Sequence, residues 1–157
     1  VTKWRQLPNA EPVAIAFYRH MTPAIYDGMR WLRDNTATNA VIALSTTEVA
    51  NVDPVYFFAA GFTERRMFFG GFGNSNQAHH LGFDKVVRGE VHPFPERLAL
   101  NQRVFLQTDA QALQHMSQVY GVTHLMVVRG HGGRAGDLRA IAQPVFMNAE
   151  IEVFAVQ

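Results

Sequence analysis

The stretch from Tyr26 to Leu44 constrains the fold more than any other, because an amphipathic helix, a polar stop and an apolar strand follow one another without a gap. Thr22 can cap this helix, with Pro23 at its first position, where the N–H that proline lacks is not needed. Four residues recur at helical spacing and form an apolar stripe: Ile25, Gly28, Met29 and Leu32. The pattern predicts a helix that packs this stripe on a sheet, with Gly28 permitting a close approach.

A strand follows this helix directly. Asn35-Thr36 ends the helix, and the run from Ala40 to Leu44 is continuously apolar, which is typical of a strand covered on both faces. The apolar segment from Pro12 to Tyr18 is a candidate for an earlier strand. These segments predict a β-α-β unit within a single domain over residues 12–157, preceded by a linker or juxtamembrane segment over residues 1–11.

A second helix-strand unit is predicted further along the chain. Asp53 can cap a helix that has Pro54 at its first position. Gly61 can adopt the left-handed conformation that ends a helix, and Met67–Phe69 then has the composition of a strand.

The third unit has the clearest signals at both ends of its helix. Asp109 can cap the helix, Gly121 can end it, and Val122–Val128 is a strand-like run. We expect one face of this helix to be apolar and to comprise Ala112, Leu113, Met116, Val119 and Tyr120.

The remaining segments complete the predicted fold class. Residues 70–102 are rich in glycine and histidine and read as an irregular excursion, with a short helix from Pro95 to Val104. Two strand-like runs flank Asn148-Ala149 and predict a terminal hairpin. We therefore predict an α/β layered domain with a mainly parallel sheet, helices packed on it and a C-terminal antiparallel hairpin.

Composition excludes some functions. The chain has 157 residues, no cysteine and a formal net charge of +1. The lack of cysteine removes thiolate nucleophiles and thiolate metal sites, and the balanced charge argues against nucleic acid as a partner. The longest apolar run, Val55 to Phe62, is far shorter than the ~20 residues that span a bilayer, so we expect the chain to be soluble by itself.

Polar residues follow the predicted strands where ligands bind in open α/β sheets. Hydroxyls follow the first strand, glycines the second, and the loop RGHGGR the third. Such groups suit a phosphate or a sugar, and the alternative is that they are only solvated turns. The candidate ligand residues are Ser45, Thr46, Arg66, Gly71, Arg129, His131 and Arg134.

Other constellations are weaker. His79 and His80, with Asp84 and His92 nearby, lack the usual metal-ligand spacing, and no nucleophile elbow is present. We therefore predict no metal, no cofactor and no catalytic residue. Arg65-Arg66 either faces an anionic group or pairs with Glu64 and Asp84 on the surface. The seven aromatic residues between Tyr56 and Phe72 either build the core or, at Phe72, stack on a sugar.

Three segments carry a resemblance to a known family: Tyr26 to Leu44, Arg65 to Gly71, and Tyr120 to Val128. They resemble the soluble C-terminal region of polytopic membrane glycosyltransferases of the GT-C type. The resemblance implies a noncatalytic domain on the extracytoplasmic side, attached to the membrane-embedded part of the same polypeptide. It also implies proximity to a polyprenyl-phosphate-linked sugar or its acceptor.

The resemblance does not transfer a catalytic residue, because in that family the catalytic acid usually lies in an early loop between membrane spans. The matching positions have the character of scaffold residues. The alternative hypothesis is a free-standing α/β enzyme or small-ligand-binding protein that acts on a phosphorylated substrate through Arg129, His131 and Arg134.

Overall fold

The computed structural model describes residues 21–45, 54–68, 75–129 and 135–157. The predicted linker at residues 1–11 and the predicted strand at residues 12–18 lie outside these ranges. The described helices are α1 (Pro23–Asn35), α2 (Pro54–Thr63), α3 (Asn76–Leu81), α4 (Phe83–Val87), α5 (Pro95–Gln107) and α6 (Ala110–Tyr120). The described strands are β1 (Val41–Leu44), β2 (Arg66–Met67), β3 (Val122–Val128), β4 (Gln143–Met147) and β5 (Ile151–Ala155).

The five strands form one open sheet with the order β2-β1-β3-β5-β4. β1 is parallel to both β2 and β3, whereas β5 is antiparallel to both β3 and β4. The mixed α/β class and the C-terminal hairpin are confirmed, but a mainly parallel sheet is not. The reason is that both strands of the hairpin join the sheet, and β5, the last strand, inserts between β3 and β4.

Helices cover both faces of this sheet. On one face, α1 packs its predicted stripe against Ile42 and Leu44 of β1 and against the hairpin. On the other face, α5 and α6 pack against the alternate residues of β1 and β3. All four residues of β1 are buried, as the continuous apolar run predicted. The hydrophobic core is therefore two layers separated by the sheet.

The ends of α1 follow the sequence prediction. The Thr22 hydroxyl oxygen accepts a hydrogen bond from the Ile25 N–H at 3.1 Å, and Pro23 is the first helical residue. At the other end, Thr36 has an extended backbone and its N–H donates to the Leu32 carbonyl. Local capping chemistry thus sets both ends of this helix.

Gly28 lies where α1 is closest to the sheet. A Cβ atom placed on Gly28 would lie 2.7 Å from two side-chain carbons of Ile151 on β5. Real Cβ atoms do not approach this closely, so the missing side chain lets the helix and the hairpin pack together.

Three expectations about helices were wrong in detail. Helix α2 does not end at Gly61 but continues to Thr63, and Glu64 takes the positive φ of 53° at the turn. Val119 is 60% exposed, because the apolar face of α6 is narrower than the spacing suggested. The predicted helix from Pro95 is confirmed but continues to Gln107.

The segment predicted to be irregular contains regular structure. Helices α3 and α4 occupy much of it before α5 begins. Ser75 caps α3 by accepting a hydrogen bond from the Ala78 N–H at 3.1 Å, and Gly82 has a φ of 93° between the two helices. Ala78 and Val86 are buried and join the core on the α5 side of the sheet. Each helix is too short to show a clear apolar period in the sequence.

Asp109 caps α6 as predicted. Its carboxylate accepts hydrogen bonds from the Gln111 and Ala112 N–H groups and from Arg103, at 2.9, 3.0 and 2.7 Å. The Ala112 hydrogen bond and then the Arg103 hydrogen bond lower the pKa of Asp109 below its usual value. The ionised carboxylate therefore stabilises the folded state.

We expect Gly28→Ala to reduce the free energy of unfolding by about 1–3 kcal/mol, because its Cβ overlaps Ile151, and Gly28→Leu to reduce it further. Gly61→Ala is the matched control, since a Cβ there meets no atom within 4 Å. It should raise stability by about 0.5–1 kcal/mol. Urea denaturation measures all three, and equal stability of Gly28→Ala and Gly61→Ala would contradict this packing.

We expect Asp109→Asn to be less stable than the wild type at neutral pH, because asparagine caps the helix without the charge that Arg103 binds. The folded pKa of Asp109 is depressed, so its contribution is present above the unfolded pKa of about 3.9 and is lost as pH falls through the folded pKa. The difference in the free energy of unfolding between Asp109→Asn and the wild type should therefore shrink as the pH falls through that range. A difference in the free energy of unfolding that stays constant down to pH 2 would show that the charge of Asp109 does not stabilise the fold.

Candidate functional site

The structure describes only some of the residues predicted to bind a ligand. Thr46, Gly71, His131 and Arg134 lie outside the described residues, so their role stays a prediction. Ser45, Arg66 and Arg129 are described.

Ser45 is fully buried at the end of β1. Its N–H donates to the Met126 carbonyl at 2.8 Å, and its hydroxyl oxygen accepts from the Val128 N–H at 3.0 Å. The side chain thus continues the pairing of β1 with β3 beyond Leu44. These contacts account for a serine at this position without a ligand.

Arg129 is exposed just after β3, and a carboxylate already holds it. Its guanidinium lies 2.7 Å from the Glu152 carboxylate. The backbone N–H of Arg129 donates to the Glu150 carbonyl at 2.7 Å. An incoming phosphate would have to compete with Glu152 for the cation, so this residue is a weaker anion ligand than the sequence suggested.

Arg66 lies at the other end of the sheet. It begins β2 and is paired with Val41, the first residue of β1, whereas Ser45 follows the last residue of β1. Four strand residues at about 3.3 Å each separate the two levels by roughly 13 Å. The structure therefore does not bring Arg66 together with Ser45 and Arg129.

Arg65, the residue before Arg66, is only 7% exposed. Its guanidinium donates to the carbonyls of Arg33 and Thr36 at 2.5 and 2.7 Å, and its Nε donates to the Thr36 hydroxyl at 3.0 Å. It also donates to the carbonyls of Thr63 and Glu64 at 3.4 and 3.1 Å. One side chain therefore binds the C-terminal ends of both α1 and α2.

This arrangement replaces both interpretations of Arg65 drawn from the sequence. The guanidinium faces carbonyl oxygens at two helix ends, where the helix dipoles place partial negative charge. Within the described ranges it forms no ion pair with Glu64 or Asp84. The residue is structural, and the sequence could not reveal this because its partners on α1 lie about thirty residues away in the chain.

A cavity of about 210 Å³ opens beside Arg66 at the edge of the sheet, on the face that α5 and α6 cover. Both helices, β1 and β2 contribute residues to its wall. The lining residues are Val41, Arg66, Met67, Phe68, Arg97 and Tyr120.

Arg97, in the first turn of α5, is held in place by aromatic rings. Its guanidinium carbon lies 5.1 Å from the ring centre of Tyr120, 5.6 Å from that of Phe94 and 5.8 Å from that of Phe68. It also donates to the Phe68 carbonyl at 3.3 Å. Cation–π contacts of this kind hold the plane of an arginine while leaving N–H groups at its edges.

The two arginines of this cavity lack acidic partners in the part of the chain that the structure covers. Arg66 is exposed, whereas Arg97 and Tyr120 are half-buried. Both arginines line the same small cavity, so an anion bound there could accept hydrogen bonds from both.

A larger cavity, of about 400 Å³, lies at the C-terminal hairpin and has a different character. Its one arginine, Arg139, lies 3.9 Å from the Glu152 carboxylate. The rest of its wall is formed by residues 140–144 and Gln157. With its cation shared with Glu152, this cavity is the poorer candidate for an anion.

Arg66 was singled out in the sequence, but Arg97, Phe94 and Tyr120 were not linked to it. Arg97 precedes Tyr120 by 23 residues and follows Phe68 by 29, and no motif joins them. Only the antiparallel packing of α5 and α6 against the edge of the sheet brings these side chains together.

The histidines that invited a metal interpretation are spread apart. His79 stacks on Phe83 with ring centres 5.6 Å apart, and the His92 Nδ1 accepts a hydrogen bond from the Phe94 N–H at 2.9 Å. Burial lowers the pKa of His92, which favours the neutral ring. Among the described residues, no group of three or more His, Asp or Glu is arranged to hold a metal ion.

Comparison with known proteins gives no family. No protein-family model, curated protein sequence or solved structure matches the chain. No described helix is long and apolar enough to cross a membrane.

Arg65→Met should reduce the free energy of unfolding by at least about 2 kcal/mol, because it removes the donor to partly buried carbonyls at the ends of both α1 and α2. Arg66→Met makes the same chemical change at the exposed neighbour and should leave stability within about 0.5 kcal/mol of the wild type. Thermal unfolding of the two variants compares them directly. Equal effects would show that the guanidinium of Arg65 does not hold the helix ends.

Proposed function

We propose that this chain is a noncatalytic extracytoplasmic domain of a membrane glycosyltransferase that uses a polyprenyl-phosphate-linked sugar. In this proposal the domain packs beside the membrane-embedded part of the same polypeptide and shapes the entrance for the acceptor or the carrier. The observation that carries the proposal is that two of the three segments resembling this family, those around Trp31 and Tyr120, make structural contacts.

The first such segment, around Trp31, lies at the end of α1 and makes packing contacts and hydrogen bonds with other elements. Trp31 stacks on Phe146 of β4 with ring centres 5.2 Å apart, and Leu32 is fully buried. The carbonyls of Arg33 and Thr36 accept the hydrogen bonds of Arg65. These contacts join the helix to the sheet edge and to the hairpin, as expected of scaffold residues.

The segment that leads into β3 has the same character. The Tyr120 ring packs edge-on against Phe68 with ring centres 5.2 Å apart. Gly121 has a φ of 71° and ends α6, and Val122 is buried at the start of β3. A glycine at this position permits the tight change from helix to central strand.

A domain with this role positions a ligand and leaves bond cleavage to the rest of the polypeptide. Its own contribution is a rigid surface with exposed cations, which suits the charge of a carrier phosphate. In this proposal, the segment that contains His131 and Arg134 and follows β3 in the sequence binds the carrier phosphate.

The test is glycosyl transfer by the full-length parent protein in reconstituted membranes, with the isolated 157-residue chain assayed beside it. We expect Arg129→Ala with Arg134→Ala to raise the apparent KM for the carrier-linked sugar, since each lost charge-assisted hydrogen bond is worth about 1.5–3 kcal/mol where water is excluded. Glu152→Gln is the control, because it removes the partner of Arg129 and leaves the cation in place.

Two results would contradict the proposal. Sugar transfer by the isolated chain would show that the domain is catalytic. An unchanged apparent KM in the double variant, with an unchanged unfolding curve of the domain, would show that the domain does not shape the entrance for the carrier.

A further inference from the structure

We propose that the cavity beside β2 is a binding site for a phosphate ester, with Arg66 and Arg97 as its two ligands. This inference stands apart from the proposed function, because it concerns a different end of the sheet and does not require a membrane. Of the two proposed ligands, Arg66 was a candidate in the sequence, and Arg97 was not.

Arg97 supplies a guanidinium that is already oriented. Three aromatic rings and the Phe68 carbonyl hold it, so little further freedom is lost when it binds a ligand. Only its bond to the Phe68 carbonyl uses a donor among the contacts in the described residues. The remaining N–H groups can form the paired hydrogen bonds that a phosphate accepts.

Arg66 supplies the second charge on the cavity wall. It lies on β2, which is an edge strand of the sheet formed by the described residues. It is exposed, so its long side chain can close over a ligand in the cavity. Arg66 begins β2 and Phe68 directly follows that strand. Both line the cavity, because alternate residues of an extended chain point to the same face.

The size and lining of the cavity limit the ligand. At about 210 Å³ it is smaller than the usual pocket for a drug-sized molecule, so it suits a phosphate group with a small substituent. Phe68 and Tyr120 offer apolar ring surface, and the Tyr120 hydroxyl can donate or accept a hydrogen bond. A sugar phosphate or the phosphate of a lipid headgroup presents this chemistry.

The experiment titrates the 157-residue chain with glucose 1-phosphate by calorimetry, while NMR follows the Tyr120 ring and the guanidinium N–H signals. A second titration uses vesicles of phosphatidylcholine with phosphatidic acid. Binding of the sugar phosphate identifies a soluble ligand, and binding of the acidic vesicles alone identifies a lipid headgroup. Either result supports the site when the Tyr120 signals shift.

The variants assign the binding to this cavity. Arg66→Met should weaken the binding by about tenfold or more, because it removes a charge-assisted contact without disturbing the core. Arg97→Lys should also weaken it, since lysine keeps the charge but loses the planar fork. Arg88→Met is the matched control, because it removes one exposed arginine from the end of α4.

Three outcomes would overturn the inference. One is that neither ligand binds at millimolar concentration. Another is that Arg66→Met and Arg88→Met weaken binding equally, which would indicate only the net charge of the protein. The third is binding that leaves the Tyr120 signals unchanged, which would place the ligand elsewhere. A melting curve for each variant separates lost binding from lost folding.

Discussion

The buried guanidinium of Arg65 is the interaction on which the edge of this fold depends. It binds backbone carbonyls at the C-terminal ends of α1 and α2, and these ends carry the unsatisfied acceptors of each helix. A buried cation is costly without partners, and here carbonyl oxygens and helix dipoles provide them in place of a carboxylate. Arg65 lies between the end of α2 and the start of β2, so the same side chain joins that turn to the end of α1.

This constraint also produces the candidate site. Neighbouring residues of an extended chain point in opposite directions, so the inward position of Arg65 leaves Arg66 on the other side of the strand. There it faces the cavity that Arg97 and Tyr120 line. The exposed arginine and the buried one have the same chemistry in the sequence. Their different roles follow from the turn at Glu64 and the direction of β2.

The other half of the molecule depends on the contact between α1 and the C-terminal hairpin. Gly28 lets the helix meet Ile151, Trp31 stacks on Phe146, and the Asn148 side chain donates to the Ala24 carbonyl at 2.7 Å. These contacts link the first described helix to the last two strands, more than 110 residues later in the chain. They hold α1 against the hairpin, whose strand β5 pairs antiparallel with β3 and makes the sheet a mixed one.

The sequence by itself determined the features that rest on short-range chemistry. The cap at Thr22, the buried stripe of α1, the cap at Asp109 and the glycine at 121 each need only residues within one or two turns. Strand β1 was predicted because a continuous apolar run suits a strand buried on both faces. Strand β3 was predicted because it directly follows the glycine that ends α6.

Tertiary structure alone decided what depends on distant partners. Gly61 has the residue type of a helix end, yet α2 passes through it, because Thr63 and Glu64 complete the turn with Arg65. Ser45 and Arg66 both looked like ligand residues, but the register of β1 with β2 and β3 separates them along the sheet. The aromatic rings around Arg97 come from Phe68, Phe94 and Tyr120, which are far apart in the sequence. No local sequence pattern indicates that folding brings these side chains within 6 Å of the guanidinium.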